Sequence, residues 1–455
     1  MLELFRSRRR AVVWFIDTAL FGTVVFVVAG LILGWERATR IDRLFDAATI
    51  TLVAQVSLYY HGLYGRIARE KFSAVSFRIV RALVLAFAVI YFVLPWTLED
   101  AEDRSSTVLA TFILAGLVLP PMRAAFVDLW LARFRPPLLI LGSSSLAMAC
   151  AEATLEPDAG FLYVGRIVPD EEAFLFFDKP DIVGTFSQLR RVVYENGIRR
   201  ILVCQAQRRG KLPVTELLEL KFSGVEIEEG ADFYERQTGR VFASELRPSQ
   251  LVFADGYRIT RRTLLFKRWL DVLGASIGLV LAFPLMVFAA IAVKLSSRGP
   301  VIYSQERMGV LGKRFLIHKF RSMRIDAEAD GPKFASENDP RVTTVGRFLR
   351  KTRIDELPQL WNVLQGDMSL VGPRPERPAF VEQLEEQIPY FHQRLFVKPG
   401  VTGHAQVSCK YSAALEDHQE KLEHDLFYIK NVSVLFDISI LIDTVKVVLM
   451  RVGSR

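Results

Sequence analysis

Four apolar stretches, at residues 12–34, 44–64, 79–98 and 107–126, crowd the first third of the chain, and each has about the 20 residues that a helix needs to cross a hydrocarbon core. Backbone polar groups in lipid must be satisfied within the segment itself, so residues 1–136 are expected to form a bundle of four transmembrane helices. A composition that is 51% hydrophobic fits that expectation. Arg6, Arg8, Arg9 and Arg10 precede the first stretch, Arg66, Arg69, Lys71 and Arg78 separate the second from the third, and Arg133 and Arg135 follow the fourth. The loop after the third is acidic, with Glu99, Asp100, Glu102 and Asp103. The positive-inside rule therefore places both ends of the bundle in the cytoplasm, although Arg37, Arg40 and Arg43 weaken the contrast. The first stretch has no small-residue cleavage site and three more follow, which argues against a signal peptide. Asp17, Asp46, Gln55 and His61 fall inside the spans and read as snorkelling or packed groups rather than a polar path.

After Pro136 and Pro137 the texture changes to short β-rich runs at residues 138–141, 163–168, 200–203 and 225–228, with helical runs at 187–195 and 214–222. This alternation predicts a small doubly wound, Rossmann-like α/β domain over residues 137–250. Its first turn, Gly142-Ser143-Ser144-Ser145, keeps only the first glycine of a dinucleotide fingerprint, which favours a nucleotide fold without a cofactor. The net charge of +8 sits mostly beside apolar runs, where anionic headgroups and phosphates attract it. No basic stripe interleaved with aromatics suggests nucleic acid. Cys150, Cys204 and Cys409 form no CxxC pair and the six histidines no HExxH, so neither a disulfide framework nor a zinc site is expected.

A fifth apolar segment, residues 269–295, is interrupted at Pro284. Lys267 and Arg268 precede it and Lys294 and Arg298 follow it, so both ends ask for the same side of the membrane. A helix broken at Pro284, entering and leaving by the cytoplasmic face over residues 264–295, satisfies both demands.

Strands are expected at residues 301–305 and 314–319, leading into Lys319-Phe320-Arg321-Ser322-Met323. Beyond them Asp355 and Glu356 stand side by side, followed by Leu357, Leu360, Trp361 and Leu364 at helical spacing, with Gly366 as a stop. A helix from about Asp355 to Gly366 would hold the pair at its N-terminus, where free N–H groups favour anions. A carboxylate of ordinary pKa near 4 is ionised at neutral pH and can attack phosphorus without a general base. Its neighbour can hold Mg²⁺, and Arg350, Arg353 and Arg374 offer forked donors to phosphate oxygens.

The run from Asp355 to Glu376, with Lys319 to Met323 before it and Lys398-Pro399-Gly400-Val401-Thr402-Gly403 after it, resembles the monotopic phosphoglycosyl transferases, bacterial sugar transferases that initiate exopolysaccharide, capsule and O-antigen assembly. The resemblance covers residues 262–455, and the bundle plus α/β domain resembles the long members of that family. It implies a catalytic α/β domain on the cytoplasmic side of the bacterial inner membrane. There Asp355 would attack a UDP-sugar, release UMP and pass a phosphosugar to undecaprenyl phosphate. It further implies Glu356 as the Mg²⁺ ligand, Arg350, Arg353, Arg374, Lys319 and Arg321 at phosphates, and Pro284 at the hairpin break. Phe283 stands where many members carry Ser, and His404 where Trp is common, which touches an interfacial anchor or substrate contact. The competing reading is a non-catalytic membrane sensor whose α/β domain binds a dinucleotide. The motif does not select among glucose, galactose and N-acetylated amino sugars. A homodimer through the bundle or α/β domain is the candidate assembly. The apolar tail at residues 432–450 carries Asp437, Asp443 and Lys446 on one side and suits either a helix on the membrane surface or a core helix.

Overall fold

The computed structural model describes residues 8–39, 41–61, 63–64, 72–93, 101–133, 135–155, 160–175, 178–205, 212–254, 256–327, 339–409 and 415–450. Arg6, Arg40, Arg66, Arg69, Lys71, Glu99 and Asp100, used above to orient the bundle, lie outside the described residues. One compact unit runs over Glu3–Gln237 and the other over Thr238–Arg455.

In the first unit the apolar stretches form α1 (Arg8–Leu33), α2 (Ile41–Tyr60), α3 (Phe72–Val93) and α4 (Ala101–Arg133). They share a core of Phe21, Val25, Ala54, Leu58, Ile79, Ala86, Phe112 and Ala115. Phe15, Phe45, Leu52, Ile113 and Leu117 face outward. Helices apolar on both faces belong in lipid. Val12–Leu33 and Ser106–Ala125 are long and apolar enough to cross a membrane, whereas the apolar part of α2, Leu44–Tyr60, is shorter. Asp17 is buried against Arg123 at 2.9 Å, Arg123 also donates to the Leu63 carbonyl, and Tyr64 donates to Gln55 Oε1 at 2.7 Å. Asp17 and Gln55 are thus packed groups rather than snorkelling ones.

The α/β region is a parallel five-stranded sheet of β1 (Pro137–Leu141), β2 (Leu162–Val168), β3 (Ile182–Thr185), β4 (Arg200–Val203) and β5 (Glu226–Glu229), in the order β3-β2-β1-β4-β5, with helices α5 (Ser145–Leu155), α6 (Leu189–Glu195) and α7 (Val214–Phe222) between strands in the chain. The order reverses at β1, as in doubly wound folds. Strand β3 escaped the sequence reading because its four residues contain Gly184 and follow Pro180. Gly142 has φ 138°, and a Cβ there would strike the Cys204 carbonyl. Ser144 donates to that carbonyl at 2.7 Å and Ser143 donates to Glu172, so both hydroxyls are engaged with protein atoms.

The second unit is organised around α8 (Arg261–Ser296), a helix of 36 residues whose first turn is capped by Thr260. Proline removes one donor and kinks a helix without always ending it, and α8 continues through Pro284 where the sequence suggested a break. Its first third is pinned by polar groups. Lys267 donates to Asp437 at 2.6 Å, to the Val371 carbonyl at 2.8 Å and to the Tyr428 hydroxyl at 3.0 Å. Asp271 accepts from Ser369 Oγ and the Leu370 amide at 2.9 and 2.8 Å. Lys267, read above as a charge at the membrane surface, is therefore buried inside the unit. At the far end Ala289 and Val293 pack with Phe320, Leu349 and Ile354. Between these anchors Val280, Leu281, Phe283 and Phe288 are exposed.

Beyond α8 lie an antiparallel hairpin of β6 (Ile302–Met308) and β7 (Arg314–Phe320), α9 (Thr344–Lys351), α10 (Gln359–Gln365), a parallel pair of β8 (Ser369–Val371) and β9 (Gly400–Thr402), α11 (His404–Ser408), α12 (Leu415–Lys430) and α13 (Val434–Met450). Gly372 meets the Lys398 carbonyl too closely for any side chain, so this approach demands glycine. Val241, counted with the α/β domain on sequence grounds, packs in the core of this unit with Val363, Leu422, Tyr428 and Phe436. His404 is also buried, its Nε2–H donating to the Gly239 carbonyl at 2.8 Å and its ring surrounded by His424, Phe427 and Phe436, which excludes an interfacial anchor. In α13, Phe436, Asp437 and Ile440 face the core while Leu435, Val445 and Val448 are exposed, so the tail is a core helix with one apolar face left open.

Candidate active site

Asp355 and Glu356 sit in a 3-10 turn, Ile354–Glu356, and α10 begins only at Gln359 with Pro358 as its N-cap. The turn consumes the Glu356 amide in a bond to the Arg353 carbonyl at 3.2 Å. The pair is thus not held by free N–H groups of a helix start, as the sequence suggested. Arg353 enters the turn at φ 58°, ψ 13°, a left-handed conformation that costs a non-glycine residue roughly 1–2 kcal/mol. That bend turns the Glu356 carboxylate toward Lys319 and Arg374 from distant elements.

Glu356 is buried and ringed by cations. Oε1 accepts from Lys319 at 3.0 Å and Arg374 at 2.8 Å, and Oε2 faces Arg353 at 3.4 Å. Burial pushes its carboxyl up, but Lys319, Arg374 and Arg353 together outweigh burial and hold it well below the usual carboxylate range. Asp355 is affected oppositely. Burial first, and the Glu356 charge second, push it up to about 6 against Lys319, Arg350 and Arg353. The expectation of an ordinary pKa near 4 is corrected accordingly: one neighbour has captured the cations and the other bears the desolvation. Asp355 Oδ1 is buried with no hydrogen-bond partner among the described residues, leaving an oxygen lone pair uncommitted. Burial also pulls Lys319 below its ordinary value, opposed by Glu356.

The other expected residues divide. Arg350 lies near enough to bias Asp355 and donates to Ser322 Oγ at 3.0 Å. Arg321 is elsewhere: it donates to the carbonyls of Ser297 and Arg298 at 2.8 and 3.1 Å, closing the C-terminal end of α8. That guanidinium is spent on the two carbonyls that immediately follow the helix, so Arg321 is not assembled with the phosphate candidates.

Residues that the motif reading passed over build the frame. Asn362 on α10 accepts from the His318 amide at 3.1 Å and donates to the Leu316 carbonyl at 2.7 Å, fixing the strand that carries Lys319. Arg268 donates to the Val363 and Leu364 carbonyls at 2.6 and 2.7 Å, closing α10 onto α8. Arg394 bridges Asp425 at 2.8 Å and the Arg374 carbonyl at 3.0 Å, and Arg307 donates to the Pro375 carbonyl at 3.0 Å. These hold the loop that presents Arg374 to Glu356. Their only signal in the sequence is charge or amide beside apolar positions, which does not reveal a partner.

A family model described as bacterial sugar transferase matches residues 262–451. A putative undecaprenyl-phosphate N-acetylgalactosaminyl 1-phosphate transferase of Bacillus subtilis is 54% identical over 136 residues, 30% of this chain and 76% of that protein. The chain belongs to the bacterial sugar transferase family. Also similar are the UDP-N-acetylgalactosamine-undecaprenyl-phosphate N-acetylgalactosaminephosphotransferase of Aeromonas hydrophila, 45% identical over 49% of this chain and 52% of that protein, and the UDP-glucose:undecaprenyl-phosphate glucose-1-phosphate transferase of Escherichia coli, 47% identical over 40% and 39%. The matched region thus spans about half or less of these two longer family members. Every residue of the Asp355–Glu356 cluster falls inside the matched segment.

Proposed function

We propose that this family member transfers a sugar 1-phosphate from a UDP-sugar to undecaprenyl phosphate at the cytoplasmic face of a bacterial inner membrane, as the first step of building a polysaccharide. The supporting observation is a buried carboxylate, Asp355, with an uncommitted oxygen beside a second carboxylate that three cations contact. An Asp355 oxygen attacks the sugar-bearing phosphorus of the UDP-sugar, and the bond from that phosphorus to the bridging oxygen breaks to release UMP. The acyl phosphate left on Asp355 is then attacked by a phosphate oxygen of undecaprenyl phosphate, which restores the carboxylate and yields the diphosphate-linked lipid sugar. Lys319, Arg353 and Arg374 hold Glu356 ionised and present positive charge to the diphosphate.

The donor chemistry suits a hard cation at Glu356, whose Oε2 has Arg353 at 3.4 Å as its contact among the described residues. Mg²⁺ bound there would neutralise charge developing on the phosphates. Membranes given Mg²⁺, undecaprenyl phosphate and UDP-N-acetylgalactosamine, with UDP-glucose and UDP-galactose beside it, are expected to release UMP. Release of UDP instead would mean ordinary glycosyl transfer. N-acetylgalactosamine comes first because two of the relatives are named for it.

Because only ionised Asp355 attacks and its pKa is raised to about 6, activity is lost as pH falls through that value. Between pH 7 and pH 5 UMP release should drop about tenfold. An inflection near 4 would mean that Asp355 is not buried in the working enzyme.

Four N-terminal spans and a re-entrant α8 complete the reading. A straight helix of this length extends about 54 Å, yet Lys267 and Val293 near its two ends both pack in the same compact unit. An apolar apex around Phe283 with anchored ends suits a dip into one leaflet. Single cysteines at Arg262 and Ser297 should therefore both react with an impermeant thiol reagent from the cytoplasmic side. Labelling of one from each side would make α8 a full crossing.

A further inference from the structure

Away from the Asp355 site, three metal-ligating side chains converge where α11 ends against α12. The Cys409 sulfur, a Glu420 carboxylate oxygen and a His424 ring nitrogen all lie within 4.8 Å of one another. Glu420 and His424 are four residues apart on α12 and so share one face of the helix. Cys409 is the C-cap residue of α11, and its thiol approaches that face. No spacing motif announces the group, because the sulfur comes from a different element. We propose that Cys409, Glu420 and His424 bind one Zn²⁺ ion that staples α11 to α12.

The donor set selects the metal. Thiolate and imidazole suit Zn²⁺, whereas Mg²⁺ and Ca²⁺ take oxygen ligands. Zinc bonds of about 2.0–2.3 Å in tetrahedral geometry bring ligand atoms to about 3.5 Å apart. The observed spacing needs to close by little more than an ångström, which rotamer adjustment supplies. Arg240 pairs with Glu420 Oε1 at 2.7 Å, and a carboxylate with two oxygens can keep that outer partner while ligating through the other. Burial first, then the charges of Glu420 and Asp425, push the Cys409 thiol up to about 12. Zn²⁺ displaces the thiol proton on binding, so uptake releases a proton and weakens as pH falls.

The full-length protein, purified in detergent and stripped with chelator, is titrated with Co²⁺ as a spectroscopic stand-in. The expected result is a near-ultraviolet thiolate-to-cobalt band with visible bands of tetrahedral intensity, saturating at about one ion per chain and removed by Zn²⁺. Cys409→Ser abolishes the near-ultraviolet band, and His424→Gln weakens Co²⁺ binding at least about 100-fold. Asp355→Asn changes neither, which separates this site from any ion at the carboxylate pair. Size-exclusion elution establishes that each variant is folded, independently of transferase activity. Absence of the band in the wild-type protein, or its persistence in Cys409→Ser, overturns the proposal.

Discussion

Asp355→Asn should lower UMP release by on the order of 10⁴-fold or more, the scale on which loss of a nucleophile acts. The substitution is nearly isosteric and sits in a buried turn, so packing around Ile354 and Leu357 is kept while the attacking oxygen is lost. Asparagine also removes the repulsion between the neighbouring charges, which makes the folded state no less stable than wild type. The measurement is UMP release by detergent-solubilised protein at pH 7.5, together with acid-quenched labelling from a UDP-sugar carrying radioactive β-phosphate. Wild-type protein should retain label on Asp355 in the absence of lipid acceptor, and the variant none. Label on any other residue, or a variant within tenfold of wild type, removes the covalent mechanism.

The second large effect lies outside the reacting groups. Lys267→Ala leaves Asp437 buried with its cation gone and the Tyr428 hydroxyl, at 2.8 Å, as its remaining side-chain hydrogen bond among the described residues. Breaking a buried pair from one side costs about 3–5 kcal/mol, because the remaining charge keeps its desolvation penalty. The thermal midpoint of the purified protein should fall by several degrees. Lys267→Met combined with Asp437→Leu, which removes both charges at similar volume, should recover most of the loss. Equal destabilisation by the double variant would mean that packing rather than charge dominates there. The pair matters because Lys267, Arg268 and Asp271 fix α8 to β8 and α10, and through them the loop that carries Arg374.

Much of this molecule follows from local chemistry. Continuous apolar runs dictate lipid-facing helices wherever the backbone must satisfy itself. Alternating short β-rich and helical runs dictate a parallel sheet, and four of its five strands were legible as such runs, whereas β3 puts Gly184 inside four residues that closely follow Pro180. The adjacent Asp355 and Glu356, a proline at position 358 and a glycine at position 366 mark the candidate site by themselves, since no long-range partner is needed to place neighbours side by side.

Tertiary structure decided which carboxylate holds the cations. Nothing in the order of residues says that Lys319, Arg353 and Arg374 converge on Glu356 and leave Asp355 raised to about 6. Charge alone likewise could not distinguish Arg321, which ties down the chain just past a helix end, from Arg374, which faces the pair. It also could not distinguish Lys267 in the interior from a lysine at the membrane surface. Sequence fixes what each side chain can do over the few residues it can reach locally. Burial and long-range Coulomb interactions, which set pKa and partnership, depend on distances that only the folded chain defines.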